Sequence, residues 1–375
     1  MSVLLILLAA LTMAACRQAA EPPASAAQES PAPAPLPSGI RGPLDPELVA
    51  DLKRVPEVFR TVPLTEGKDV DSLAFWAGPE GPPWLLVTQK DLSYILVLDA
   101  TTGELLKRVG GMGDEPGQFN RPNGIAVIDD LVLTVERDAD RVRVLRLPDF
   151  EPLGSFGEDL LQFPYGVAVD RVGEWYEAFV TDSYDSFADK PLDPEVAANR
   201  VRHYRFRPTP AGLEVELVRS FGEPAGDGAL YRVESMAIDR PLDRLYVADE
   251  LRLDIKVYSL EGEFLETFGD GQHYYEPEGV LLLSCGPEEA QDGYVITADQ
   301  TEPTRFLVWD RQSLGPRGAF TGEPTIEVTD GIAFVPTDDE SEAAGLFYAT
   351  HHDVQVVAYR WADIAEAMDL LTDCR

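Results

Sequence analysis

Short apolar runs alternate with polar turns along this chain, in a phrase that returns six times. Each phrase opens on a small residue leading into an apolar strand: Ser72 (SLAFW), Gly124 (GIAV), Gly166 (GVAVD), Ser235 (SMAID), Gly279 (GVLLL) and Gly331 (GIAF). A second apolar strand follows and ends in polar groups, as in LLVTQK up to Lys90, LVLTVERD up to Asp138 and RLYVADE up to Glu250. A third strand comes next, such as YILVLD, RVRVLRL or VQVVAYRW. The openings fall 52, 42, 69, 44 and 52 residues apart. Repeats of about 40–50 residues holding several strands each are propeller blades, so the pattern predicts an all-β fold, a six-bladed β-propeller. Gly-rich stretches at Phe156, Phe221, Phe268 and Phe320 read as turns joining one unit to the next. Helical periodicity is confined to Pro46–Val55 and to a short terminal helix over Trp361–Cys374.

The two ends add an address. Residues 1–15, MSVLLILLAALTMAA, carry no charge, are too short to span a bilayer, and read as a signal peptide. Cys16 after Ala14 and Ala15 resembles the lipobox of bacterial lipoproteins, which implies a lipid at Cys16 and attachment to the cell envelope. Arg17 leans the destination toward the outer membrane, and the alternative is a plain signal peptide that releases a periplasmic or extracellular protein. Residues 16–43 are rich in Ala, Pro and Ser and predict a disordered tether, leaving 44–375 as the propeller. Cys285 and Cys374 are a candidate pair in an oxidising compartment, and no Cys/His spacing suits zinc.

Charge narrows the partners. With 66 acidic and 31 basic residues the net charge is −35, a field that repels nucleic acid and attracts divalent cations. A solubilising acidic surface accounts for most of it. Blade geometry gathers the rest, because equivalent strand ends converge on one face of a propeller's channel. One expected ring follows the second strands: Lys90, Glu136, Asp138, Asp182, Asp185, Asp249, Glu250, Asp299, Gln300 and His351–Asp353. Another precedes the first strands: Asp71, Arg121, Asn123, Tyr165, Glu234, Glu278, Thr329 and Asp330. Such oxygen-rich sets, without Cys or clustered His, suit calcium; the alternative for each acid is a solvated strand end. Of the adjacent His351 and His352, at most one can face the channel.

DSLAFW (71–76), TQK (88–90), RPNGIAV (121–127), ESMAID…LYVADE (234–250), EPEGVLLL…GYVITADQ…VWDR (276–311) and VTDGIAF…GLFYAT (328–350) follow one another in order. Together they resemble the β-propeller phytases, secreted calcium-dependent enzymes that hydrolyse phosphomonoesters of inositol phosphates. The resemblance implies Ca²⁺ ligands at Asp71, Tyr165, Glu234, Glu250, Glu278, Gln300 and Asp330. It implies phosphate contacts at Lys90 and Arg121, and Glu234 among the catalytic groups, acting on a small-molecule phosphate ester through a calcium-activated water. Departures from the family's pattern are Ser72 in place of a second acid, Asp182 and Ser183 where a second lysine is expected, and Thr301 for a Gly. Lys190 or Arg200, in or beside the 185–199 insertion, and Glu323 or Glu327 ahead of TDG, are candidate substitutes. Two other readings stand beside this one. FGE…FPYGVAVD resembles NHL repeats, which implies a non-catalytic propeller binding a protein or glycan. A metal-dependent propeller lactonase or esterase would hold one central ion with carboxylates and an Asn. His273, Tyr274 and Tyr275 belong to an exposed patch, a cleft wall or the packing between blades. A closed propeller needs no second subunit, so a monomer is expected.

Overall fold

Four strands, not three, make each of the sheets that the repeated phrase predicts. The computed structural model describes residues 44–65, 69–183, 194–287, 291–336 and 345–375; the predicted signal peptide and tether, and residues 185–193 of the insertion, lie outside these. Blade one holds β2 (Val70–Trp76), β3 (Trp84–Gln89), β4 (Tyr94–Asp99) and β5 (Leu105–Gly110); blade two holds β6 (Pro122–Ile128), β7 (Leu131–Glu136), β8 (Arg141–Arg146) and β9 (Glu151–Phe156). Blade three holds β10 (Pro164–Val172), β11 (Trp175–Asp182), β12 (Val201–Thr209) and β13 (Gly212–Phe221); blade four holds β14 (Val233–Asp239), β15 (Arg244–Asp249), β16 (Asp254–Tyr258) and β17 (Phe264–Phe268). Blade five holds β18 (Pro277–Cys285), β19 (Asp292–Asp299), β20 (Arg305–Asp310) and β21 (Pro316–Glu323). The stretches read as joins are therefore the ends of outer strands. β5, β9 and β17 are half exposed and carry no continuous apolar run, so hydrophobic periodicity does not mark them.

Blade six is closed by the two ends of the chain. Its inner strands are β22 (Ile332–Val335), β23 (Leu346–His351) and β24 (Gln355–Arg360). Its outer strand is β1 (Lys53–Arg60), which pairs antiparallel with β24 and, through Lys53–Pro56, parallel with β21 of blade five. This pairing overrides the expected helix over Pro46–Val55. Helix α1 (Pro46–Asp51) stops where Lys53 enters the ladder, since two strand edges offer hydrogen bonds that a short helix does not. The terminal helix α3 (Trp361–Met368) is likewise shorter than expected. Asp369 takes a left-handed φ of 56°, and the tail returns to β18, where Arg375 and Ser284 exchange backbone hydrogen bonds and Cys285 is joined to Cys374.

The apolar residues form clusters between neighbouring blades, as where Leu86, Ile95, Phe119 and Val132 pack blade one on blade two. Small residues open the inner strands because those strands approach backbone to backbone. A Cβ on Gly124 would lie 2.5 Å from the Tyr165 carbonyl oxygen, one on Gly166 2.4 Å from that of Glu234, and one on Gly331 2.3 Å from that of Asp71. Next to these openings the inner strand slips register against the second strand, between Val70 and Leu73, Pro122 and Ile125, Pro164 and Val167, Val233 and Met236, and Pro277 and Val280. Such bulges re-aim a side chain, and in these five blades each turns one residue toward the channel.

The last residue of each second strand does something else. Glu136, Asp182, Asp249 and Asp299 are fully buried. Each accepts backbone N–H bonds from the loop that leads into its own blade: from Asn120 (2.9 Å), Gln162 (3.0 Å), Tyr231 (2.7 Å) and Tyr275 (2.8 Å), respectively. Arg141 and Arg143 pair with Glu136, and Arg305 with Asp299. In blade six His351 Nδ1 accepts the same kind of bond from Glu327 N, 3.0 Å away. These groups are braces, which corrects their placement in a ring of channel ligands. Asp299→Ala leaves Arg305 buried without its carboxylate and is expected to cost about 3–5 kcal/mol, read as the shift in a guanidinium unfolding midpoint. A cost under about 1 kcal/mol would mean the brace does not hold the loop.

Candidate metal and anion site at the channel mouth

The six residues aimed by the strand openings are Asp71, Asn123, Tyr165, Glu234, Glu278 and Asp330, one per blade and each directly ahead of the small residue. They ring one part of a channel of about 450 Å³ whose remaining wall is mostly apolar, with Phe75, Val127, Ile238 and Leu282. A second ring comes from the residue after each brace position: Lys90, Arg137, Ser183, Glu250, Gln300 and His352.

The two rings meet. Carboxylate oxygens of Glu234, Glu250 and Glu278 all lie within 4.8 Å of one another. Gln300 Nε2 donates to Asp330 Oδ1, and Lys90 Nζ sits 2.6 Å from Asp71 Oδ2. Burial pushes Glu234 and Glu278 well above the usual carboxylate range, and neighbouring Glu250 pushes them further. Burial and Glu276 raise Glu250 to about 7. Asp330 is held well up by burial and by Asp71. Burial alone would lower the Lys90 ammonium, but Asp71, Asp330 and Glu234 around it outweigh that and hold it well above its ordinary value. Asn123 is 1 % exposed, and its Oδ1 has no hydrogen-bond partner among the described residues. A buried amide oxygen without a donor beside clustered carboxylates is a site lacking positive charge. The donors are carboxylate, amide and phenol oxygens, and they fit a hard cation such as Ca²⁺ better than zinc or copper.

The seven residues expected to hold calcium thus come together: Asp71, Tyr165, Glu234, Glu250, Glu278, Gln300 and Asp330. Lys90 joins them, but Arg121 does not. With φ at 55°, Arg121 turns its guanidinium to Asp91 (2.7 Å) and Asp69 (3.6 Å), outside the ring. The cation that occupies the mouth is Arg137. It donates to Tyr165 Oη at 3.4 Å and lies 4.5 Å over the ring of Phe163. Its sequence signal is position: it follows brace Glu136 as Lys90 follows Gln89, whose side chain accepts from Leu92 N.

The remaining candidates have structural work. Ser72 Oγ donates to Asp71 Oδ1 at 2.6 Å, and Ser183 Oγ to the Val233 carbonyl at 2.7 Å. Arg200 is buried and donates to the carbonyls of Asp182, Leu230 and Tyr231, so it is no phosphate ligand; Lys190 and Asp185 lie outside the described residues. Thr329 Oγ1 donates to the Thr350 carbonyl. Of the acids ahead of TDG, Glu327 pairs with His352 Nε2 at 3.2 Å and Glu323 with Arg54 on the surface. Asp138 pairs with Arg137 at 3.1 Å. His273 is buried on Thr297 and Tyr274 packs on Arg305, while Tyr275 stays at the rim near Glu276 and Glu278.

No family model matches the chain, and no curated protein matches it. Among solved structures it is similar to virginiamycin B lyase from Staphylococcus aureus. A catalytically inactive variant with quinupristin has a TM-score of 0.47, and a selenomethionine-substituted form one of 0.46. Both are 11% identical, and each match covers 80% of this chain and 98% of that chain.

Proposed function

We propose that this protein is a calcium-dependent phosphomonoesterase resembling the β-propeller phytases, working at the channel mouth. The observation that carries the reading is the convergence of Glu234, Glu250 and Glu278 within 4.8 Å, beside the unpartnered Asn123 amide oxygen and under two cations. Asp71, Asn123, Tyr165, Glu234, Glu250, Glu278, Gln300 and Asp330 would hold the metal. Bound there, calcium would cancel the carboxylates' repulsion, attract phosphate oxygens and make a bound water more acidic.

The chain's own groups supply the rest. Lys90 Nζ and the Arg137 guanidinium reach the mouth from adjacent blades, so the transferring phosphoryl group lies between them and its equatorial oxygens gain charge-assisted hydrogen bonds. Phe163 beneath Arg137 fixes the plane of the guanidinium. Arg232, 2.9 Å from Glu276 and 3.4 Å from Glu250, keeps Glu250 pointed at the other two carboxylates. Of the two histidines at this end of blade six, His351 braces a loop and His352 faces Glu327. In this reading the attacking nucleophile is a water. The same reading places the protein beyond the inner membrane, as a monomer tethered through lipid on Cys16.

Phosphate release from inositol phosphates by the full-length chain, with calcium and with chelator, tests the reading. Release that requires calcium and is lost in Glu234→Ala supports it. Calcium-raised thermal stability with no release from any phosphate ester would leave a binding propeller instead.

A further inference from the structure

Resting on that reading, we infer that the preferred substrate carries a single phosphate on an apolar or aromatic group, not the many phosphates of a fully phosphorylated inositol. The carboxylates at the channel mouth are surrounded by cations that are already engaged. Lys90, Arg137 and Arg232 face the mouth and Arg121 lies outside its ring, and each of the four already lies against carboxylate. Lys90 is on Asp71, Arg121 lies between Asp69 and Asp91, Arg232 between Glu250 and Glu276, and Arg137 touches Asp138. A metal at the centre would neutralise the inner acids, while Asp69, Asp91 and Glu276 would keep Arg121 and Arg232 engaged, so neither is offered to a further phosphate. Lys90 and Arg137 together would serve one phosphate. A second or third phosphate on the same small ring would have no cation pair of its own and would face carboxylates, where like charges repel.

What the rim offers the rest of the substrate is aromatic. Phe163, Tyr231 and Tyr275 stand on the loops that lead into blades three, four and five, all half-buried. Phe163 holds a left-handed φ of 72°, a conformation rare for a bulky side chain. That backbone presents its ring to Arg137 at 4.5 Å and to Tyr165 at 5.7 Å. Tyr275 hangs beside Glu276 and Glu278 at the edge of the same opening. An organic group leaving the phosphate on this side meets ring faces, whereas a hydrated polyanion meets carboxylates and apolar surface.

Two substrate pairs with matched leaving groups separate charge from shape. For the full-length chain with calcium, kcat/KM is compared for myo-inositol 1-phosphate against the hexakisphosphate, and for 2-phenylethyl phosphate against ethyl phosphate. The monophosphate is expected to lead the hexakisphosphate by about ten-fold or more, and the phenylethyl ester to lead the ethyl ester by about ten-fold. In Tyr275→Ala the second ratio falls toward one. In Asp91→Asn, which releases Arg121, hexakisphosphate cleavage rises more than monophosphate cleavage. A hexakisphosphate equal to or better than the monophosphate, or a phenylethyl ester no better than ethyl, overturns the inference and leaves the phosphatase reading standing. No calcium-dependent cleavage of any of the four overturns both.

Discussion

With calcium chelated, the protein is expected to lose stability steadily as pH rises above 6.5, and with calcium present to regain it. The cause is the cluster of Glu234, Glu250, Glu278 and Asp330. All four have folded-state pKa values raised above their ordinary ones, Glu250 to about 7 and the others well up. A raised acid binds its proton more tightly in the folded chain than in the unfolded one. Its stabilising proton is fully present below the unfolded value and is lost as pH rises through the folded value, so stability falls with pH across that interval. Each such proton tilts the curve by about 1.4 kcal/mol per pH unit. Asp254, raised to about 6 by burial beside Lys256, acts in the same direction at lower pH. His351, pushed down to about 4 by burial, acts oppositely between 4 and 6.5. Above pH 6.5 the channel carboxylates are left to decide. Calcium at one hundred times its Kd would add about 2.7 kcal/mol, a rise in melting temperature on the order of 5 °C. Glu234→Gln and Glu278→Gln should raise the chelated protein's stability at pH 8 while removing the response to calcium. Thermal melts at pH 6.5, 7.5 and 8.5, with calcium and with chelator, check this; a flat pH response and no calcium shift would dismiss the metal site.

Lys90→Ala and Arg137→Ala are each expected to lower kcat/KM on a phosphate monoester by about 10²-fold or more, while Arg121→Ala costs under about three-fold. The contrast follows from direction. Lys90 and Arg137 come from the ring positions after the brace and reach the carboxylate centre from two blades. Arg121 is committed to Asp91 and Asp69 outside that ring. Arg137→Lys should recover only part of the activity, because an ammonium neither lies flat on Phe163 nor offers a planar fork to two phosphate oxygens. Steady-state kinetics with calcium saturating give the answer. If Arg121→Ala proves the more damaging, the mouth is organised differently from the arrangement drawn above.

Much of this architecture is written locally. The six small-residue openings predicted six blades because the inner strands must touch backbone to backbone, a steric demand carried by single residues such as Gly166 and Gly331. The ring residue comes with it, since in five blades a bulge turns whatever precedes the small residue toward the channel, and in blade six Asp330 holds the same position. Position alone therefore picks out Asp71, Tyr165, Glu234, Glu278 and Asp330. The same logic missed the fourth strand of each blade, whose half-exposed residues leave no apolar run.

Tertiary structure decided what depended on partners distant in sequence. That Lys53–Arg60 is a strand follows from the edges of β21 and β24, more than 250 residues away, which no local propensity can announce. Glu136, Asp182, Asp249 and Asp299 look like channel ligands in the sequence and are braces in the fold, because adjacent strand residues point to opposite faces and these turn inward to the loops. The choice of Arg137 over Arg121 has the same origin. A sequence records which charges exist and in what order. Which of them face a common point is set by backbone direction, and backbone direction at a propeller mouth is settled only when the ring closes.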